Sequence, residues 1–172
     1  MKKRFLLRTL AALSASVLLL SACGGGGGDF KNDPRSSGLS AALTVSAAGD
    51  ASLNGLYSSS DVQLNDVEKF NPIGGDPETC RSHFSGLVQT PGGRIMDGEI
   101  RYLPGTNLLR STFVSINTIE FRLEGSAGGS VDRSTNVVTF SGAVFTSTQG
   151  TGRTITLTGA VPIRAANKPE GC

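Results

Sequence analysis

The sequence is short of the residues that most enzyme active sites and sugar-binding surfaces use. Its 172 residues include no tryptophan, two tyrosines and one histidine. Surfaces that stack on sugar rings are therefore poorly supplied, and only Tyr57 and Tyr102 are candidates for them. Nucleophilic catalysis most often needs a histidine base oriented by a carboxylate, so His83 is its only candidate. Ser82 and Ser85 lie beside it, and we interpret all three as ordinary strand residues.

Catalytic and phosphate-binding motifs are also missing. The chain has no Gly-x-Ser-x-Gly sequence and no Gly-x-x-x-x-Gly-Lys-Ser/Thr sequence, and the glycine pairs at 92–93 and 128–129 open no predicted helix. Carboxylates that share a predicted strand face form two pairs, Asp97 with Glu99 and Glu120 with Glu124. Because exposed strand faces carry such pairs routinely, we do not read them as glycosidase-type acids, and we predict no catalytic residue.

Metal binding has weak support in the sequence. Cys80 and His83 have a Cys-x-x-His spacing, but structural zinc usually takes four ligands at characteristic spacings. On a strand, residues 80 and 83 also point to opposite faces. We therefore predict neither a metal nor a cofactor.

Positive charge is concentrated at the start of the chain. Lys2, Lys3, Arg4 and Arg8 are four of the 16 Lys and Arg residues, whereas none of the 14 acidic residues lies within residues 1–22. The rest of the chain therefore has 12 basic and 14 acidic residues, a net charge of −2. Nucleic-acid binding needs a basic patch, and the sequence contains none, so nucleic acid is not an expected partner.

No apolar run is long enough to span a bilayer as a helix. The longest one extends from Leu10 to Leu20, about half of the roughly 20 residues that a span requires. A short apolar run that follows positive charge is typical of a secretory signal peptide. The small residues Ser21 and Ala22 come next, immediately before Cys23.

The segment Leu20-Ser21-Ala22-Cys23 resembles the lipobox of bacterial lipoproteins. The resemblance covers residues 1–23 and implies cleavage before Cys23, with a diacylglycerol on its thiol and an acyl chain on the new amino group. Membrane lipid is then a partner, because two or three acyl chains hold a protein far more firmly than one. The resemblance also implies that an aspartate after the cysteine retains such proteins in the inner membrane. Gly24 is not that signal, so we expect the outer membrane, with the domain facing the periplasm or exposed at the cell surface.

The composition divides the chain into three parts. Residues 1–22 are the signal peptide, residues 23–49 are the lipidated cysteine and a tether, and residues 50–172 are one domain. The tether begins with five glycines and continues rich in Ser, Ala and Gly, which is typical of flexible chain without a core. The alternative is that Leu39, Leu43 and Val45 already form a first strand or a short helix.

Short apolar runs separated by Gly, Ser, Thr and Asn predict an all-β domain. About 8–10 short strands follow from the alternation, and short links between them make neighbours antiparallel. An up-and-down β-barrel and a β-sandwich both fit. Glycines inside predicted strands favour the barrel slightly, because glycine permits sharp curvature; they are Gly86, Gly98, Gly142 and Gly159.

The clearest hairpin joins residues 80–89 to residues 95–103. Its strict alternation predicts that Phe84, Gly86 and Val88 share one face of the first strand, with Leu87 on the opposite face. Residues 119–124 and 153–163 alternate in the same way. No segment shows a sustained helical period.

Two cysteines remain besides Cys23. In an oxidising compartment such a pair normally forms a disulfide, so we predict a bond between Cys80 and Cys172. The bond would hold the segment 165–171, which has no strand pattern, against the domain.

The sequence leaves two functions open. The favoured one is a non-catalytic module on a lipid anchor that binds an envelope protein or a small apolar ligand. The alternative is a periplasmic hydrolase that acts on cell-wall or solute substrates, which would need His83 in a cleft with a carboxylate and a serine.

Overall fold

The computed structural model describes residues 33–71 and 74–172. These residues form twelve strands and one short 3₁₀ turn, Ala51–Leu53. The strands are β1 (Arg35–Ser36), β2 (Ala41–Ser46), β3 (Gly55–Ser59), β4 (Gln63–Leu64), β5 (Glu68–Phe70), β6 (Thr79–Thr90), β7 (Ile95–Tyr102), β8 (Leu109–Ile116), β9 (Ile119–Glu124), β10 (Gly129–Asp132), β11 (Val137–Ser147) and β12 (Thr154–Pro162). No helix in this part of the chain is long and apolar enough to cross a membrane.

Eight of the strands close into an antiparallel barrel. Strands β2, β3, β6, β7, β8, β9, β11 and β12 pair in the order in which they follow along the chain. The last strand then pairs with the first, with Leu157 opposite Val45 and Ala160 opposite Ala42. The structure thus confirms the all-β class and selects the up-and-down barrel over the sandwich.

Two short strands, β9 and β10, each pair with part of the long strand β11 in the barrel wall. β9 pairs with β11 only at Arg122 and Phe121. The other half of β11 is covered by β10, whose residues Gly129–Asp132 pair with residues 137–140. The Val131 amide also donates to the Asn107 carbonyl beside β8, so β10 reaches across to the next strand.

Side chains fill the interior of the barrel. The inward positions alternate along β2, β9 and β12, as the pattern of residues 119–124 and 153–163 predicts. An eight-stranded barrel is about wide enough for its own side chains to occupy the centre. The largest fully buried ones are Tyr57, Tyr102, Phe84, Phe121, Phe140 and Phe145. Gly98 shows how closely they pack, since a Cβ atom there would lie 2.5 Å from the Phe84 ring.

A β-bulge at Gly86 reverses the predicted faces in the second half of β6. The pairing with β7 shifts register between Phe84 and Leu87, and Gly86 has a φ of +83°, which favours glycine. The extra residue turns Leu87 into the core and leaves Val88 exposed. Strict alternation was therefore wrong beyond this point, because a bulge adds one residue to a period of two.

The domain begins earlier than residue 50. Strand β2 pairs with β12 on one side and β3 on the other, and Leu43 and Val45 are fully buried. The alternative assignment of a first strand here is therefore correct, and the predicted tether, residues 23–49, extends too far. Along β2, the buried Leu43 and Val45 alternate with the exposed Ala42 and Thr44, as expected for a strand with one buried face. Residues 23–32 lie outside the described residues.

The predicted disulfide closes the C-terminal end of the domain. Cys80 and Cys172 are bonded, with their Cα atoms 5.6 Å apart. The Tyr102 hydroxyl, on the strand position paired with Cys80, donates to the main-chain oxygen of Cys172 at 2.9 Å. Burial of this hydroxyl raises the pKa of Tyr102 to about 12. The tail is thus held by a covalent bond and by several hydrogen bonds, which include one from the Gly105 amide to the Gly171 carbonyl at 2.8 Å and one from Arg133 Nε to Cys172 at 3.3 Å.

We expect the fragment 33–172 to fold and the fragment 50–172 to fail. Removal of β2 leaves β3 and β12 without their shared partner, so two exposed sheet edges and an open core result. Circular dichroism and gel filtration of both fragments provide the measurement. A monomeric, cooperatively unfolding fragment 50–172 would show that barrel closure through β2 is dispensable.

Removal of the disulfide should lower the melting temperature of the domain by many degrees. The bond closes a loop with a sequence separation of 92 residues, for which the chain-entropy model gives about 4–5 kcal/mol. Cys80→Ala/Cys172→Ala is the test, and Tyr102→Phe is its comparison, because the tail then loses only one hydrogen bond, about 1 kcal/mol. Equal melting temperatures for wild type and the double variant would contradict this role.

Candidate functional site

The outer wall of the barrel carries a cluster of arginines and phenylalanines, here called the arginine face. It consists of Phe70, Arg81, Arg101, Phe113 and Arg122. These residues come from five strands, β5 to β9, that are neighbours in the sheet. Arg81 lies opposite Arg101 in the β6–β7 pairing, and Phe113 lies opposite Arg122 in the β8–β9 pairing. The alternation of each strand turns these positions outward.

The aromatic rings lie between the guanidinium groups. The Phe70 ring centroid is 4.3 Å from Cζ of Arg81 and 4.7 Å from Cζ of Arg101. The Phe113 centroid is 5.1 Å from Cζ of both Arg101 and Arg122. Each contact is within the range of a cation–π interaction, which attracts a cation to the ring face. The stack therefore fixes the orientation of three arginines on the outer wall.

Carboxylates at the edge of the arginine face hold two of its arginines. Arg81 pairs with Glu68, and both side chains are almost fully buried beneath Phe70 and its neighbours. Arg101 pairs with Glu99 two residues earlier on the same strand. Because removal of one partner from a buried ion pair costs about 3–5 kcal/mol, loss of either Arg81 or Glu68 would destabilise this part of the wall.

The arginine face ends at a second group of charges. Arg110 donates to Asp76 at 2.9 Å and to Glu124 at 3.5 Å. Arg122 donates to the same Glu124 carboxylate at 2.6 Å. The hydrogen bond and charge of Asp76 are the main reasons why the pKa of Arg110 is raised.

Sequence reasoning did not find the arginine face. Arg101 and Arg122 each stand at an outward position of an alternating strand, and this is a signal that the sequence contains. The position of Arg81 opposite Arg101 depends on strand register, and the position of Phe70 depends on a three-residue strand. Neither follows from the local pattern, so the cluster is visible only once the strands are paired.

His83 lies on the outer wall next to two carboxylates. It faces Glu99 across the β6–β7 pairing, and burial lowers its pKa while Asp97 and Glu99 partly oppose this effect. Ser85 donates its hydroxyl to Gln63 at 3.4 Å, and Ser82 lies at a buried position. The structure thus places His83 near two carboxylates, whereas the Ser85 hydroxyl is directed to Gln63.

The carboxylate pairs of the sequence analysis have structural partners. Asp97 accepts the Gly86 amide at the bulge, at 2.9 Å, and Glu120 accepts the Thr148 hydroxyl at 2.9 Å. Glu99 and Glu124 bind arginines, as described above. Across residues 33–71 and 74–172, no three His, Cys, Asp or Glu side chains lie together as a possible metal site.

The other residues that the sequence singled out as possible site residues are buried or lie outside the described residues. Tyr57 and Tyr102 are fully buried, and the Tyr57 hydroxyl donates to the Leu53 carbonyl, so neither presents a ring to a sugar. Cys80 is in the disulfide. Cys23, the predicted lipidation site, lies outside the described residues.

The arginine face is therefore the best candidate site of the described domain. It combines preoriented cations, partly exposed rings and an adjacent charge cluster on one side of a filled barrel. Comparison of the chain with protein-family models, with curated proteins and with solved structures finds no match.

Proposed function

We propose that this chain is an envelope lipoprotein whose non-catalytic β-barrel binds a protein partner at its outer wall. Acyl chains on Cys23 attach it to the outer membrane, and the barrel faces the periplasm or the cell surface. The observation that carries the binding function is the arginine face.

The N-terminal sequence supports the anchor. A positive segment, a short apolar run and the lipobox-like Leu20-Ser21-Ala22-Cys23 follow one another in the order that lipoprotein processing requires. The first strand that the structure describes, β1, begins at Arg35, twelve residues after Cys23. A lipid anchor on Cys23 would therefore hold the barrel close to a membrane surface.

The filled interior favours a partner on the outside. A small apolar ligand would need a cavity lined by apolar side chains, whereas the described barrel has large rings such as Phe84 and Phe121 at its centre. On the outer wall, arginine and aromatic side chains are the residue types most enriched at protein interfaces. The Arg122 side chain is 41 % exposed, so a partner can reach it.

The restricted orientation of the arginine side chains also favours a role in binding a partner. Free arginine side chains lose rotamer freedom when they bind, which weakens an interface. In the arginine face, Phe70 and Phe113 already restrict Arg101 between them. A partner would therefore meet cations that are largely fixed before contact.

Cys23→Ser should leave an unlipidated precursor. Without the thiol there is no acceptor for the diacylglycerol, and the cleavage that follows lipidation does not occur. Incorporation of labelled palmitate measures the first effect, and the size of the chain on a gel measures the second. A matched variant, Gly24→Asp, should keep the label and shift the protein to inner-membrane fractions. Equal label in wild type and Cys23→Ser would contradict the anchor.

A photoreactive phenylalanine analogue at position 113 should form a discrete protein adduct in intact cells. The analogue retains the aromatic ring, so the contacts with Arg101 and Arg122 are least disturbed. The same analogue at Thr44, an exposed outward position on β2, is the control. Adducts of equal yield at both positions, or at Thr44 alone, would show that the arginine face is not the binding surface.

A further inference from the structure

A small recess opens at the end of the arginine face. Its polar lining comes from the first residue of β6, from β7, β8 and β9, and from the loop before β6; these residues are Asp76, Thr79, Arg101, Arg110, Ser111 and Arg122. The free volume inside is about 20 Å³, room for about one water molecule. A larger group therefore enters only if a lining side chain moves away.

The charges of the recess balance only while Asp76 is in place. Arg101, Arg110 and Arg122 supply three positive charges, and Glu99 and Glu124, which pair with them, supply two negative charges. Asp76 supplies the third on Arg110. If Asp76 leaves, one positive charge is uncompensated, which matches a ligand group that carries a single negative charge.

Two polar atoms of the lining have unmet hydrogen-bonding capacity. The Thr79 hydroxyl oxygen and Arg122 Nε are buried and make no hydrogen bond within the described part of the chain, and Thr79 is only 2 % exposed. Buried polar groups without partners are costly and uncommon in native proteins. Both groups can donate, so an acceptor in the recess would satisfy them.

Among the lining residues, Asp76 is the one whose side chain can most easily move out of the recess. Its side chain is 55 % exposed, and it belongs to the Gly- and Pro-containing segment 74–78 rather than to a strand. Exposed ion pairs contribute little to stability, so its contact with Arg110 can be exchanged for a similar one. The other polar lining residues lie in the paired strands of the barrel wall.

We infer that the recess is a carboxylate-binding site, which an acidic side chain of the partner enters by replacing Asp76 on Arg110. The inference rests on the proposed function and adds the chemistry of the partner. A carboxylate carries the required single charge, and its two oxygens match the planar fork of a guanidinium group. When Asp76 moves away, one positive charge is left uncompensated. A phosphate monoester carries more than one negative charge and would exceed it.

The test uses the chain from residue 23 to residue 172 with Cys23→Ser, so that it stays in solution. A short peptide with one central aspartate is titrated against it, and NMR follows the amides of Thr79 and Ser111 and the Nε–H of Arg122. The matched peptide with asparagine, free acetate and inorganic phosphate are the comparison probes. We expect saturable shifts of these three signals with the aspartate peptide and weaker binding of every other probe.

Three variants distinguish replacement of Asp76 by the ligand carboxylate from simple attraction of that carboxylate to the arginines. Asp76→Asn removes the internal competitor and should tighten peptide binding by up to about fivefold, which corresponds to an exposed ion pair of about 1 kcal/mol. Arg110→Met should weaken binding by at least about tenfold, the range of a lost charged hydrogen bond. Arg153→Met, an exposed arginine outside the recess, should bind like wild type. Melting temperatures confirm that each variant is folded.

Several results would overturn the inference. Unchanged or weaker binding by folded Asp76→Asn would mean that the carboxylate does not replace Asp76. Tighter binding of phosphate would identify a phosphoryl site, and equally tight binding of acetate would identify a free small carboxylate as the ligand. No shift of the three signals in Asp76→Asn would mean that the recess takes no carboxylate. An adduct at position 113 that persists in the Arg110→Met background would leave the proposed function intact while it removes this site.

Discussion

The ladder between β2 and β12 is the constraint on which the rest of the domain depends. It joins the first and last barrel strands through five paired positions, so that neither strand presents a free edge. Closure gives the sheet a defined inside, and the inside is just wide enough for one layer of side chains from each strand. Gly98 and Phe84 illustrate the result, because a ring from one strand occupies the space that a side chain would need on the next.

A closed and filled barrel leaves only its wall and its ends for recognition. The ends are largely taken by the chain itself, since the disulfide and the Tyr102 hydroxyl hold the C-terminal tail at one of them. The wall is mostly small and hydroxyl-bearing on β2, β3 and β12, where residues such as Ala42, Ser58 and Ala160 lie side by side. Charge and aromatic area are concentrated on the opposite strands. The proposed function follows from this uneven distribution.

Much of the fold could be predicted from local sequence, and the reasons differ between elements. Strands β7 and β9 alternate strictly because one face is buried and the other is not, so the alternation of residues 95–103 and 119–124 correctly predicted both strands. The disulfide followed from two remaining cysteines. Strand β2 was left open because its short alternating pattern lies in a segment rich in Ser, Ala and Gly, and its position is determined by partners distant in sequence. The bulge at Gly86 was missed because a glycine in a strand does not by itself reveal an added residue.

The candidate site was less predictable than the fold. Each arginine of the arginine face reads locally as a solvent-exposed strand residue, and only register places Arg81 next to Arg101. The recess also depends on Thr79 being buried at the start of β6, one residue before the strand that the sequence predicts from residue 80. A site assembled from single residues of five strands has no contiguous motif.

The N-terminal segment of the domain is clamped before it enters the barrel. The amides of Ser37 and Gly38 donate to the Asp61 carboxylate at 2.9 and 2.8 Å, and Arg164 donates to the carbonyls of Arg35 and Ser36. A mechanical pull on the chain from its N-terminal side meets these contacts first. The force reaches β2, and the ladders that join it to β3 and β12, only after these contacts have broken.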